Sequence, residues 1–187
     1  MAAIQAAMNE WEQMTCIQFR NRTTERNYVE FFRGSGCWSY VGMNGGKQQL
    51  SLAGGCWYKG TVVHEIGHAL GFFHEQSRPD RDNYVTIKME NIYDANKHNF
   101  KKHNSIDSLG TPYDYGSIMH YGARYFSKNG KPTIVPKQSG VTIGQRSGLS
   151  KMDAHQMRLR YSCSAPTTAA PTTATPSTAA PTPQSGK

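Results

Sequence analysis

Nowhere in its 187 residues does the chain carry an apolar run close to the ~18 residues of a membrane helix, so no membrane span is expected. Met1 to Trp11 do not read as a secretory signal: a basic start is lacking, and Asn9 and Glu10 interrupt any apolar core. If the protein is exported, its signal lies outside this sequence. Cysteine is scarce as well. Cys16, Cys37, Cys56 and Cys163 include no Cys-x-x-Cys pair, which argues against a thiolate metal site or a redox dithiol. Their even number and wide spacing favour disulfides in an oxidising compartment, with three pairings open; four buried free thiols are the alternative. A concentrated basic stripe is missing too. The formal charge of +8 is scattered, and its densest patch, Lys97 to His103, carries no nucleic-acid motif. No nucleic-acid partner is therefore expected, and the patch reads as a solvated face with some attraction for acidic peptides.

What is present fits one domain with a real core, followed by a tail. After Cys163 the composition changes abruptly. Ser164 to Gly186 holds no charged and no large apolar residue, so residues 164–187 are expected to be a disordered Thr/Pro/Ala-rich linker leading to something downstream. The folded unit is then residues 1–163. Within it, Ala2 to Met14 places Ile4, Ala7, Met8, Trp11 and Met14 on one helical face. Strands are expected at Ile17 to Phe19, Tyr28 to Phe32, Trp38 to Val41 and Gln48 to Leu52, separated by glycine-rich turns. An apolar helix follows from about Thr61 to Leu70, and a last helix spans Lys151 to Arg160. Between them the patterning weakens. The outline is α+β.

The chemistry lies in His64-Glu65-Ile66-Gly67-His68-Ala69-Leu70-Gly71-Phe72-Phe73-His74. Four residues of helix turn through about 400°, which puts His64 and His68 one turn apart on the same face. Two imidazoles so placed can grip one tetrahedral ion, and Glu65 stays close enough to reach water bound to it. Gly71, free to take positive φ, can end the helix and swing His74 into the third position. Three neutral imidazoles with one open position describe a catalytic zinc site, with one Zn2+ expected per chain. Glu65 would take a proton from the metal's water as it attacks a peptide carbonyl and pass it to the leaving amine. The oxyanion so formed calls for a further donor. Ser117-Ile118-Met119-His120-Tyr121 offers a candidate, since a methionine turn beneath the zinc is the second signature of the metzincins.

Glu75, directly after the third histidine, makes the chain resemble one metzincin family, the astacins. Gln76 to Tyr84, Gly36-Cys37-Trp38-Ser39-Tyr40-Val41-Gly42 and Ser117 to Tyr121 resemble that family too, over a stretch from about Ala6 to Cys163. The resemblance implies a two-lobed, zincin-like catalytic domain. Its upper lobe would hold a mixed β-sheet and the zinc-binding helix; its lower lobe would be mostly irregular, with a C-terminal helix. It implies a secreted endopeptidase acting on proteins or peptides, with Tyr121 as oxyanion donor and Met119 as an apolar floor under the histidines. It also implies bridges joining Cys16 to Cys163 and Cys37 to Cys56, the first worth ~4–5 kcal/mol by loop closure. The strand near Lys47 to Leu52 is expected to form the upper rim of the cleft and pair with an extended substrate. Arg146 falls where the family lines the pocket just C-terminal to the scissile bond, where a cation would favour an acidic side chain. Asn21-Arg22-Thr23 is an N-glycosylation sequon, which agrees with secretion.

One expectation departs from the family. Astacins place a β-strand before the first helix, and their mature amino terminus is implied to meet the glutamate after the third histidine. This sequence starts at the helix and carries no propeptide, so it reads as part of a longer chain. Sheet edges are expected to be unpaired, and Glu75 to find another partner or, if buried, to shift its pKa upwards.

Overall fold

The computed structural model describes residues 1–164, so the expected linker lies, Ser164 apart, outside the described residues. Helix α1 (Ala2–Met14) buries Ile4, Ala7 and Trp11, the spacing of one helical face. The Trp11 indole donates to the Val63 carbonyl at 3.1 Å, a buried bond that sets α1 against α2 (Lys59–Ala69). A three-stranded sheet covers the same core. Its order is β1 (Tyr28–Phe32), β3 (Lys47–Leu52), β2 (Cys37–Ser39), with β1 parallel and β2 antiparallel to β3. Leu50 and Leu52 point from β3 into a core shared with Val62, Val63 and Ile66 of α2.

Two expectations fail here. Strand order is a tertiary property that alternation along one segment does not reveal. Both edges of β3 are already paired, so the free edge beside the cleft belongs to β2 and not to Lys47–Leu52. Ile17 to Phe19 form no strand: Ile17 and Phe19 pack on the upper core, while the Phe19 N–H is spent on a Glu12 carboxylate oxygen at 2.8 Å. Their alternation reflects packing without a ladder.

Below α2 the chain is mostly irregular. Its one sheet among the described residues pairs β4 (Val85–Ile87) with β5 (Ile134–Pro136), segments too far apart in sequence to leave a local signal. A second core forms around Val85, Ile92, Phe100, Tyr113, Ile134 and Ile143. Backbone carbonyls that no ladder satisfies are met by two buried arginines. Arg81 donates to the carbonyls of Gln76 and Phe100, at 2.9 and 2.5 Å, and Arg78 to those of Thr111 and Pro112, at 3.0 and 3.1 Å. Helix α3 (Lys151–Arg160) opens with a capping box between Ser150 and Asp153. From there Asp153 accepts bonds from the Ser117 hydroxyl at 2.6 Å and the Ile118 N–H at 2.9 Å, while Met157 reaches the upper core.

Cys16 is bonded to Cys163, and Cys37 to Cys56, with sequence separations of 147 and 19. Loop-closure entropy puts these at about 5 and about 3 kcal/mol. Removing the first pair (Cys16→Ser with Cys163→Ser) should therefore lower urea-unfolding stability more than removing the second, by about 2 kcal/mol. Equal losses would show that local packing, and not chain closure, dominates.

Candidate zinc centre and cleft

Helix α2 presents His64 and His68 on its buried face, and each ring is fixed through Nδ1. His64 Nδ1–H donates to the Ile118 carbonyl and His68 Nδ1–H to the Phe72 carbonyl, both at 2.8 Å. A carbonyl only accepts, so both rings must carry the proton on Nδ1 and present a bare Nε2. Gly71 sits at φ 101°, and the N–H groups of Gly71 and Phe72 close on the carbonyls of His68 and Gly67 at 2.8 and 2.9 Å. This left-handed closure, costly for any residue with a Cβ, reverses the chain and delivers His74. His74 Nε2 then lies 3.2 Å from Nε2 of both other histidines.

Zinc–nitrogen bonds of about 2.0–2.1 Å in tetrahedral geometry put ligand nitrogens about 3.3 Å apart. The two separations from His74 Nε2 match that spacing, and a shared cation would satisfy the lone pairs that His64 and His68 turn towards it. Burial holds the pKa of His64 and His74 well below the usual imidazole value and lowers that of His68. The charge of neighbouring His68 adds to the effect on His64 and His74. All three are thus neutral ligands at pH 7. The donor set fits zinc, which His64, His68 and His74 could hold together.

Around this centre the other expected residues converge. Glu65 is buried, and its Oε2 makes no hydrogen bond. Burial raises its pKa to about 7 against the opposing pull of Arg146, and a bound cation would pull in the same direction as Arg146. Met119 lies directly under α2: a Cβ on Gly67 would sit 2.8 Å from its sulfur, so the glycine gives the methionine its room. The Tyr121 ring stands 4.3 Å from that of His74. Burial, then the charge of Glu65, raises its hydroxyl to about 12, which keeps it a proton donor. Arg146 uses Nη1 for the carbonyls of His120 (3.1 Å) and Gln145 (2.8 Å), and its guanidinium lies 5.7 Å from the Tyr125 ring.

The three histidines, Glu65, Tyr121 and Arg146 line a cleft of about 640 Å³, bounded also by Trp38 and Ser39 of β2 and by Tyr125 and Phe126. Glu75 lies outside it, facing a smaller cavity of about 140 Å³. Both halves of its expectation are met. It accepts from Arg78 at 3.1 Å and from the Asp114 N–H at 2.8 Å, yet burial still raises its pKa to about 7. The sequence reading missed the supporting residues: the Ile118 and Phe72 carbonyls, Gln76, Tyr113 and Asp153. Of these only Asp153 left a readable signal, as the acidic N3 residue of a Ser-x-x-Asp helix start.

Helix-borne histidines, a reversing glycine and a methionine floor between two lobes define a metzincin-type α+β zinc domain. The sequence pattern of the peptidase family described as Astacin matches residues 1–162, and the chain belongs to that family. Zinc metalloproteinase nas-15 of Caenorhabditis elegans is 50% identical over 173 residues, covering 89% of this chain and 30% of that protein. Blastula protease 10 of Paracentrotus lividus is 49% identical over 172 residues, covering 86% and 29%. The chain thus spans less than a third of either relative. Among solved structures, high choriolytic enzyme 1 of the medaka Oryzias latipes, a hatching enzyme zinc-protease, matches with a TM-score of 0.84. It is 46% identical, over 87% of this chain and 82% of its own.

Zinc added to chelator-stripped protein at a thousandfold excess over Kd should contribute about 4 kcal/mol of stability. For a domain of this size that corresponds to a rise in Tm of roughly 10 °C, read by scanning calorimetry. His68→Ala should abolish the rise. A zinc-independent Tm in the wild type would mean that the three nitrogens do not share an ion.

Proposed function

We propose that this chain is the catalytic domain of a secreted zinc endopeptidase, binding one zinc ion and cleaving protein or peptide substrates. Residues 1–163 form the peptidase unit in this reading, and 164–187 a linker. The observation that carries it is a buried carboxylate with a free oxygen, Glu65, beside three converging imidazole nitrogens in an open cleft.

Zinc held by His64, His68 and His74 supplies Lewis acidity, polarising the scissile carbonyl and acidifying water. Glu65 takes a proton from the attacking water and delivers it to the leaving amine, a shuttle suited to a carboxylate whose Oε2 has no other hydrogen-bond partner. Tyr121 donates its hydroxyl hydrogen to the oxyanion of the tetrahedral intermediate. An extended substrate adds to the free edge of β2, which lies over the cleft. Arg146 anchors through Nη1 alone, leaving the rest of its guanidinium to meet an acidic side chain just beyond the scissile bond.

Peptide hydrolysis, with and without chelator, tests the assignment. Glu65→Ala should retain zinc and lose roughly 10²–10⁴-fold in kcat. Wild-type protein that binds zinc but hydrolyses nothing across a broad peptide library would leave only a zinc-binding scaffold. Profiling the same library should show Asp or Glu enriched just C-terminal to the cleaved bond, and Arg146→Ala should remove that enrichment. A flat profile in the wild type would end the Arg146 assignment.

A further inference from the structure

Tyr121 lies in chain that is neither helix nor strand, yet its peptide groups are held on both sides by buried side chains. Its N–H donates to Gln76 Oε1 at 3.0 Å, and its carbonyl accepts from His120 Nδ1 at 2.8 Å. Because a carbonyl only accepts, His120 must carry its proton on Nδ1, which leaves Nε2 to accept the Tyr113 hydroxyl at 2.7 Å. Gln76 and His120 are fully buried and Tyr113 nearly so. Tyr113 is itself stacked on Tyr84, with ring centroids 4.6 Å apart and planes 8° from parallel, and Arg78 sits 5.5 Å from its centroid.

The two arms start from different places. Gln76 is two residues beyond His74, so its bond registers Tyr121 against the loop that supplies the third histidine. Tyr113 belongs to the loop before the methionine turn. Together they fix the Tyr121 backbone, while the hydroxyl makes no hydrogen bond with protein among the described residues. From this we propose that Gln76 and the Tyr113–His120 pair are positioning residues, a clamp that confines Tyr121 to side-chain motion and keeps its hydroxyl aimed at the oxyanion. The proposal rests on the donor role given to Tyr121 above. An oxyanion donor is useful only where its position is settled before charge develops, and irregular backbone would not settle it unaided.

The test combines Tyr113→Phe and Gln76→Met, each close to isosteric, with Tyr121→Phe. Both clamp variants should speed hydrogen exchange at the Tyr121 amide by roughly tenfold or more. They should lower kcat by roughly 10-fold with KM and zinc affinity unchanged. In a Tyr121→Phe background the same substitutions should change kcat less than about twofold, because the hydroxyl they position is gone. The proposal is overturned if exchange at Tyr121 is unaltered, if kcat stays at the wild-type value, or if the losses simply multiply in the Tyr121→Phe background. Two variants from separate segments keep the test valid should one fold poorly, which a Tm measurement would show. A Tyr121→Phe enzyme with undiminished kcat would instead remove Tyr121 from the proposed mechanism, and the clamp's catalytic purpose with it.

Discussion

The hydrogen bond from His64 Nδ1 to the Ile118 carbonyl ties helix α2 to the methionine turn, and much of the remaining architecture serves to keep it in place. One ring nitrogen looks towards the metal position and the other towards a peptide 54 residues further along. That peptide is not free to drift, because its own N–H, on Met119, donates to the Ser117 hydroxyl at 3.0 Å. The Ile118 N–H is held by Asp153, and Asp153 is the N3 residue of the capping box that begins α3. A histidine on the second helix is thereby oriented, through the two peptide groups of a single residue, by a carboxylate on the third. Remove any link and a buried polar group is orphaned, at about 1–3 kcal/mol apiece. Met119, next in sequence to Ile118, is pinned by the same contacts and meets α2 where Gly67 makes room.

The two lobes solve the problem of backbone satisfaction differently. Above the cleft, helix and sheet ladders satisfy most peptide groups, and apolar side chains of α1, α2 and β3 fill the core. Below it, the ladders give out and buried ionic groups take over. Arg78 spans Glu75, Asp80 and two carbonyls, while Arg81 bridges the carbonyls of Gln76 and Phe100. Such groups are costly to bury, and they are used where an irregular path has to be fixed without regular hydrogen bonding. The chain can then turn wherever the site requires it.

This contrast explains what could be read from the sequence and what could not. Helical periodicity is local, so the pairing of His64 with His68, the reversal at Gly71 and the limits of α3 were all visible in single segments. Helix α2, which carries His64 and His68, runs from Lys59 to Ala69 where Thr61 to Leu70 was expected, a shift of one or two residues. Sheet order was not visible, and the strand expected at the cleft rim lies in the middle of its sheet. The acceptors of the histidine Nδ1 protons were equally hidden: the Ile118 and Phe72 carbonyls are backbone atoms, which any residue could supply. Gln76 and Tyr113 act through contacts 45 and 7 residues away that no periodicity marks. Glu75 stood out by its place after His74, but its partners Arg78 and Asp114 emerge only once the lower lobe is folded.

The brevity of β2 has a consequence for how promiscuous such a cleft can be. Cys37–Ser39 is three residues, roughly 10 Å of strand, room for only two or three backbone bonds with a visiting peptide. Backbone pairing of that length reads chain direction and extension but hardly any sequence, so discrimination must fall on side-chain pockets further along. The same shortness also limits what this edge can do with a second copy. An edge of three residues, stapled at Cys37 to the loop before α2, is too small to zip two copies together.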